Sequence, residues 1–253
     1  MALVQVALEA GARPIDVFYC ESERAGDEAL VLLDRLQQTG AELVAVSPQV
    51  LGALTERETP EGVVATFALL EASLQNLSFE GCDLVVVLDR LQDPGNLGTL
   101  IRTADAVGAA AVVLIEPCVD PFDPKTVRGT MGSLFNVPLV RTSELPDLFT
   151  QLHEAGLRSV GTDAQQGEVW GRGLWEGGVA LVLGNESRGL SEDVRQHVEA
   201  WARLPILGKA ESLNVAVAGG VLMYAWLRAN LREQGSGQKC TADTQHHIGQ
   251  NNQ

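Results

Sequence analysis

The chain has 253 residues, 45% of them hydrophobic, enough to bury a large domain or two smaller ones. With 18 Lys plus Arg against 33 Asp plus Glu it carries a net charge of −15, and only Lys125, Lys209 and Lys239 are lysines. That balance excludes a protein that holds nucleic acid by bulk charge, although it leaves room for a local basic groove. Cys20, Cys82, Cys118 and Cys240 stand far apart with no CxxC pair, which points to reduced thiols and gives a metal site no support.

In chain order, "MALVQVALEAGARP" lacks a basic lead and is interrupted by Gln5 and Glu9, so it is not a signal peptide. Residues 14–20 and 42–47 read as strands, with a helix over 28–40 between them that ends on Gly40. A short helix over 48–56 and a strand over 61–69 complete a small α/β unit at 1–75. Residues 76–82 continue a stretch without periodicity and read as a linker. From 83 the pattern changes to continuous apolar strands at 83–91 and 109–116, with further strands at 158–163 and 179–184 and a weaker candidate at 134–141. Helical patterns lie near 97–108, 125–133, 143–155 and 191–198, and a long apolar one follows Asn214. Such alternation predicts a parallel sheet covered on both faces, whose ligands sit at the carboxyl ends of the strands. No apolar stretch is long enough to span a membrane. The tail 232–253 is polar and reads as disordered.

Three loops could carry chemistry. In "DRLQDPGNLGTLIRTADAVGA" (89–109), Pro94 and Gly95 make a turn, Asn96 is placed to cap the next helix, and Arg102 is the only basic side chain on that helix. In "LVLGNESRGL" (181–190), Gly184 and Gly189 permit close backbone approach around Glu186 and Arg188. In "LPILGKAESLNVAVAGGVLMYAW" (204–226), Ser212, Leu213 and Asn214 open a helix. Each loop alone is weak. A lone Arg is more often a solvated side chain, Glu186 and Arg188 could pair at the surface, and Leu204 and Ile206 read first as core. Neither GxGxxG nor a Walker loop is present, which disfavours a dinucleotide-dependent oxidoreductase.

In this order and spacing, the three loops resemble the three motifs of the SpoU (TrmH-like) branch of the SPOUT RNA methyltransferases. "KTVRGTMGSLFNVPLV" (125–140) also matches the family's usual sequence between motifs. The resemblance covers roughly residues 83–230 and implies an α/β fold: a parallel-sheet SPOUT domain over 83–231 with a C-terminal trefoil knot. The small first unit resembles, more weakly, the ribosomal-protein-L30e-like substrate-binding domain of rRNA-modifying members. The family's usual first strand and its glycine-rich lead-in are missing before Val4.

The resemblance implies a cytoplasmic, homodimeric enzyme that transfers a methyl group from S-adenosylmethionine to a ribose 2′-hydroxyl of structured RNA. The extra first unit favours rRNA over tRNA. By the same resemblance, Arg102 activates or orients the hydroxyl, and Asn96 and Glu186 hold the geometry. Ser212 and Asn214 cap the last helix and support the pocket. Gly184, Leu204, Ile206, Leu213 and Thr162 contact the cofactor, and Arg128 and Arg188 contact RNA phosphate. A non-catalytic RNA-binding protein with this fold is the rival reading.

Overall fold

The structure, a computed structural model, describes residues 2–23, 26–55, 62–69 and 72–231. The expected disordered tail therefore lies outside the described residues. In the first unit, α1 (Ala2–Glu9), β1 (Pro14–Tyr19), α2 (Gly26–Gln38), β2 (Glu42–Ala45), α3 (Pro48–Thr55) and β3 (Val63–Phe67) follow one another. The sheet order is β2-β1-β3, with β1 parallel to β2 and antiparallel to β3. Its core is small: Val17 and Val63 from the sheet meet Leu32, Leu33 and Leu36 of α2, with Val4 and Leu8 of α1 against them.

The second unit runs β4 (Leu84–Asp89), α4 (Pro94–Ala106), β5 (Ala111–Ile115), α5 (Pro124–Thr130), β6 (Leu139–Thr142) and α6 (Leu145–Glu154). It continues with β7 (Arg158–Thr162), β8 (Glu168–Val169), β9 (Val179–Leu183), α7 (Glu192–Arg195), β10 (Ala200–Arg203) and α8 (Val215–Asn230). These strands form a parallel sheet in the order β6-β5-β4-β9-β7-β10-β8. The continuous apolar runs have a plain cause. Successive side chains on a strand point to opposite faces, and here both faces are covered. Leu84, Val86 and Leu88 enter the cluster with α4 and α8, while Val85 and Val87 enter the one with Leu148 and Leu152 of α6.

From β4 the chain steps outward through β5 to β6, then crosses to β7 on the far side of β9. The order reverses between β4 and β9, the kind of position where open α/β sheets bind ligands. The loops after these two strands, the first two motifs, leave the same edge of the sheet side by side.

The structure adds to the sequence reading at three places. The strand expected at 134–141 is a 3-10 turn at Ser133–Phe135 followed by β6. Strand β10, which no sequence pattern marks, is a full member of the sheet. The aperiodic stretch before 83 packs on the second unit. Leu74 is buried in the second unit's core, and Gln151 Nε2 donates to the carbonyls of Leu74 (3.1 Å) and Leu77 (2.7 Å). The Ala72 N–H donates to Leu139 O at 2.8 Å. The two units also touch through Phe67 and Phe135, edge to face at 5.3 Å, and where Val6 of α1 lies over Gly132.

Candidate active site

The first motif opens α4 in a way the sequence did not announce. Asp93, not Asn96, is the N-cap: its side chain accepts from the Asn96 N–H at 2.8 Å, and Pro94 takes the first helical position. Relieved of capping, the Asn96 side chain is free to bridge.

It bridges the other two motifs. Asn214 caps α8, its Oδ1 accepting from the N–H groups of Ala216 (2.9 Å) and Val217 (3.2 Å). Its Nδ2 donates to Asn96 Oδ1 at 2.9 Å, and Asn96 Nδ2 donates to Glu186 Oε1 at 3.1 Å. Glu186 also accepts from the N–H groups of Gln92 (3.4 Å) and Asp93 (3.3 Å). The polarity of this chain is dictated at both ends. Backbone N–H groups demand an oxygen from Asn214, and an ionised carboxylate can only accept. Both amides therefore have one workable orientation.

The second motif is a tight turn closed on itself. Asn185 and Gly189 exchange backbone hydrogen bonds at 3.0 and 2.9 Å. Asn185 is buried; its Oδ1 accepts from the Ser187 and Arg188 N–H groups, and its Nδ2 donates to Arg90 O at 2.8 Å. Gly184 must be glycine for steric reasons, since a Cβ there would stand 2.3 Å from the Gly189 carbonyl carbon. Below the turn, fully buried Asp89 accepts from the Ser191 N–H at 2.6 Å. Asn185 and Asp89 escaped the sequence reading, because an Asn between glycines and an Asp at a strand end look like ordinary turn residues.

A cleft of about 460 Å³ opens beside these turns, a size typical of small-molecule sites. Gly184, Thr162, Leu204, Ile206 and Leu213 line it, and so do Glu186, Arg188 and Ser212. Thr162 Oγ1 donates to Val182 O at 3.3 Å, tying the ends of β7 and β9 together. Asp163 forms part of the wall. Burial pushes its carboxyl up, but the N–H groups of Gln165 and Gln166 and the Arg195 guanidinium at 3.6 Å outweigh this and hold it below the usual carboxylate range. Arg203 also lines the cleft and donates from Nε to Gly167 O at 3.1 Å.

Two expected residues lie elsewhere. Arg102 stands on the exposed face of α4, outside the cleft lining, with no hydrogen bond or ion pair among the described residues. Arg128 is exposed in the last turn of α5. Helices α4 and α5 meet closely there: a Cβ on Gly98 would stand 2.8 Å from Thr126 O. Cys118 offers no nucleophile, because burial pushes its thiol up to about 12 and only the thiolate attacks.

Turns at adjacent strand ends, a polar bridge joining them and a half-apolar cleft alongside define an α/β protein that holds a small ligand beside a polar reaction centre. Comparison with known proteins narrows the class. Residues 83–224 match the SpoU rRNA Methylase family, and residues 1–73 match the domain described as RNA 2'-O ribose methyltransferase substrate binding. The chain is 38% identical over 187 residues to the 23S rRNA (guanosine(2553)-2'-O)-methyltransferase RlmP of Bacillus subtilis, covering 74% of this chain and 73% of that one. It is 30% identical to the 23S rRNA (guanosine-2'-O-)-methyltransferase RlmB of Ralstonia nicotianae, covering 89% and 92%. The AdoMet-bound rRNA methyltransferase of Sinorhizobium meliloti superposes with a TM-score of 0.81 at 32% identity, covering 92% and 86%. The chain belongs to the SpoU rRNA methylase family.

Proposed function

We propose that this chain methylates a ribose 2′-hydroxyl of 23S rRNA with S-adenosylmethionine as methyl donor. The observation that carries the reading is the Asn214–Asn96–Glu186 hydrogen-bond chain, which locks three separate loops together at the mouth of the cleft. The relatives' names supply the substrate class, and the substrate-binding match over 1–73 favours rRNA over tRNA.

The cleft suits the cofactor. Leu204, Ile206 and Leu213 offer apolar contact, and Gly184 brings main chain to the cleft wall. When bound, S-adenosylmethionine supplies an electrophilic methyl group on a sulfonium. The protein's task is then positioning, since a ribose hydroxyl is a weak nucleophile that must lose its proton as it attacks. Arg102 has no hydrogen-bond or ion-pair partner among the described residues, so it orients an RNA phosphate and the hydroxyl beside it. Asn96, Glu186 and Asn214 keep the turns in register, and Ser212, which leaves the capping of α8 to Asn214, lines the cleft. Arg188 at the cleft and Arg128 on α5 meet phosphate.

The assembly is a homodimer. Helix α8 exposes Val217 (54%), Val221 (37%) and Tyr224 (52%) at helical spacing, beside Leu213 (43%), and this apolar stripe borders the bridge residues. A second copy would cover it. A trefoil knot is supported by the strand order. Strand β10 lies between β7 and β8, so the short loop joining those two strands must pass across it, and a Cβ on Gly167 would strike Trp201 O. A cytoplasmic setting accords with the thiols of Cys20 and Cys118, neither of which is in a disulfide. Among the described residues no helix is long and apolar enough to cross a membrane.

The first test is calorimetric titration with S-adenosylmethionine and S-adenosylhomocysteine, followed by single-turnover methylation of 23S rRNA. We expect saturable binding near one per chain. Arg102→Ala should slow methylation by roughly 10²- to 10⁴-fold with cofactor affinity unchanged. A chain that binds neither compound and methylates no rRNA, or an Arg102→Ala variant at full rate, would overturn the reading.

A further inference from the structure

The segment between β7 and β9 contains a feature that neither the cleft nor the core explains. Trp170 adopts φ +60°, a left-handed conformation that a bulky side chain takes only when its surroundings impose it. Two hydrogen bonds impose it here. Its N–H donates to Arg203 O at 2.9 Å, and its carbonyl accepts from Trp175 Nε1 at 2.7 Å. Trp175 is buried, and its ring lies against Gly171, where a Cβ would stand 2.3 Å away. Buried structure thus holds the backbone of Trp170 rigid while the residue is 53% exposed. Packing gains nothing from this arrangement, because the ring is not in the core.

Its location is specific. Val169 pairs with Arg203 across β8 and β10, so Trp170 emerges one strand, about 5 Å, from a residue that lines the cleft. Arg203 is one guanidinium at this rim. Arg172, two residues along the loop, is a second; it is exposed and has no ion-pair or side-chain hydrogen-bond partner among the described residues. In a chain of net charge −15, a rigid exposed indole flanked by arginines has the composition that single-stranded nucleic acid selects: a ring for a base and cations for phosphate.

We propose that Trp170 stacks on an unpaired base of the RNA substrate next to the methylated nucleotide, with Arg172 and Arg203 facing the backbone phosphates. The proposal rests on the RNA methyltransferase reading and adds to it a specificity surface outside the motifs. It selects a target whose neighbouring base is splayed from its helix.

The four tryptophans allow a direct test. Trp175 and Trp226 are buried and Trp201 lies under Arg195 at 4.4 Å, so Trp170 is the one open to stacking. A 23S rRNA fragment that the wild type methylates is titrated into wild type, Trp170→Phe, Trp170→Ala and Arg172→Ala. Tryptophan emission should be quenched in the wild type, with most of that quenching absent from Trp170→Phe. RNA affinity should fall roughly 10- to 100-fold in Trp170→Ala, the worth of one stacked base, and only a few-fold in Trp170→Phe, which keeps a ring. Arg172→Ala should lower the salt dependence of binding by about one ion. Cofactor affinity should stay within twofold throughout, which shows that each variant is folded. The proposal is overturned if Trp170→Ala binds and methylates the fragment like the wild type. It is equally overturned if that variant changes only self-association. If the wild type methylates no rRNA, the underlying reading falls first, and that outcome differs from a silent Trp170.

Discussion

The two sheets of this molecule solve different problems. The seven-stranded sheet is covered on both faces; every residue from Leu84 to Leu88 is fully buried, and so is every residue from Val179 to Leu183. The three-stranded sheet buries few of its side chains: β1 buries Pro14 and Val17, and β2 buries none. A sheet walled on both sides is a rigid base from which loops can be aimed, and all three motifs rise from it. A sheet with a thin core stands on docking contacts instead, here Val6 over Gly132, Phe67 on Phe135 and the tied-down segment after Ala72. Precision sits in the larger unit, and the smaller one is held to it by those contacts.

Substitutions can sharpen or break this contrast. The largest effect should come from Gly184→Ala. The new methyl would meet the Gly189 carbonyl carbon at 2.3 Å and the Leu190 nitrogen at 2.4 Å, both backbone atoms that cannot swing aside. We expect a loss of about 1–3 kcal/mol or more in thermal unfolding, with cofactor binding abolished in calorimetry. Intact binding would mean that the turn is softer than a rigid base requires.

Asn214 separates capping from bridging. Asn214→Ala removes both functions and should cost about 1 kcal/mol of stability along with activity. Asn214→Asp keeps an oxygen for the Ala216 and Val217 N–H groups but has no N–H for Asn96 Oδ1. It should unfold like the wild type within about 0.5 kcal/mol, yet methylate roughly tenfold or more slowly, because a misplaced loop costs rate before stability. Full activity in the Asp variant would reduce the bridge to decoration.

The smallest effect on catalysis itself tests the docked unit. Gly132 has φ +98°, and a Cβ there would stand 2.4 Å from Val6 Cγ1. Gly132→Ala should loosen the seam by about 1–2 kcal/mol and raise the KM for rRNA, leaving cofactor affinity untouched. Val6→Ala, made together with it, should restore part of the loss. A fall in cofactor affinity would show that the two units are not energetically separate.

Much of the larger sheet was legible because burial on both faces writes itself as unbroken apolar runs; β4, β5 and β9 follow that pattern. Strand β10 was not, since four residues ending in Arg203 carry no such run and belong to the sheet only through β7 and β8. Helix α1 was passed over as merely not a leader, its apolar side chains being set by the core they meet. The bridge itself was half legible. Asn96, Glu186 and Asn214 could be singled out through their motifs, but the cap was assigned to Asn96 because Asp93 and Asn96 are equally plausible until the backbone turns.

What the sequence determined by itself was therefore the alternation of buried strands with helices, the three polar turns and the family they resemble, because periodicity and local turn chemistry need only neighbours along the chain. The tertiary structure decided what those turns do together. Residues 118 positions apart share a hydrogen bond in Asn214 and Asn96, and the strand order places Trp170 beside the cleft. It also left Arg102 on an open helix face with no partner among the described residues. Contacts of that kind depend on how strands are ordered in space, and no local pattern encodes that order.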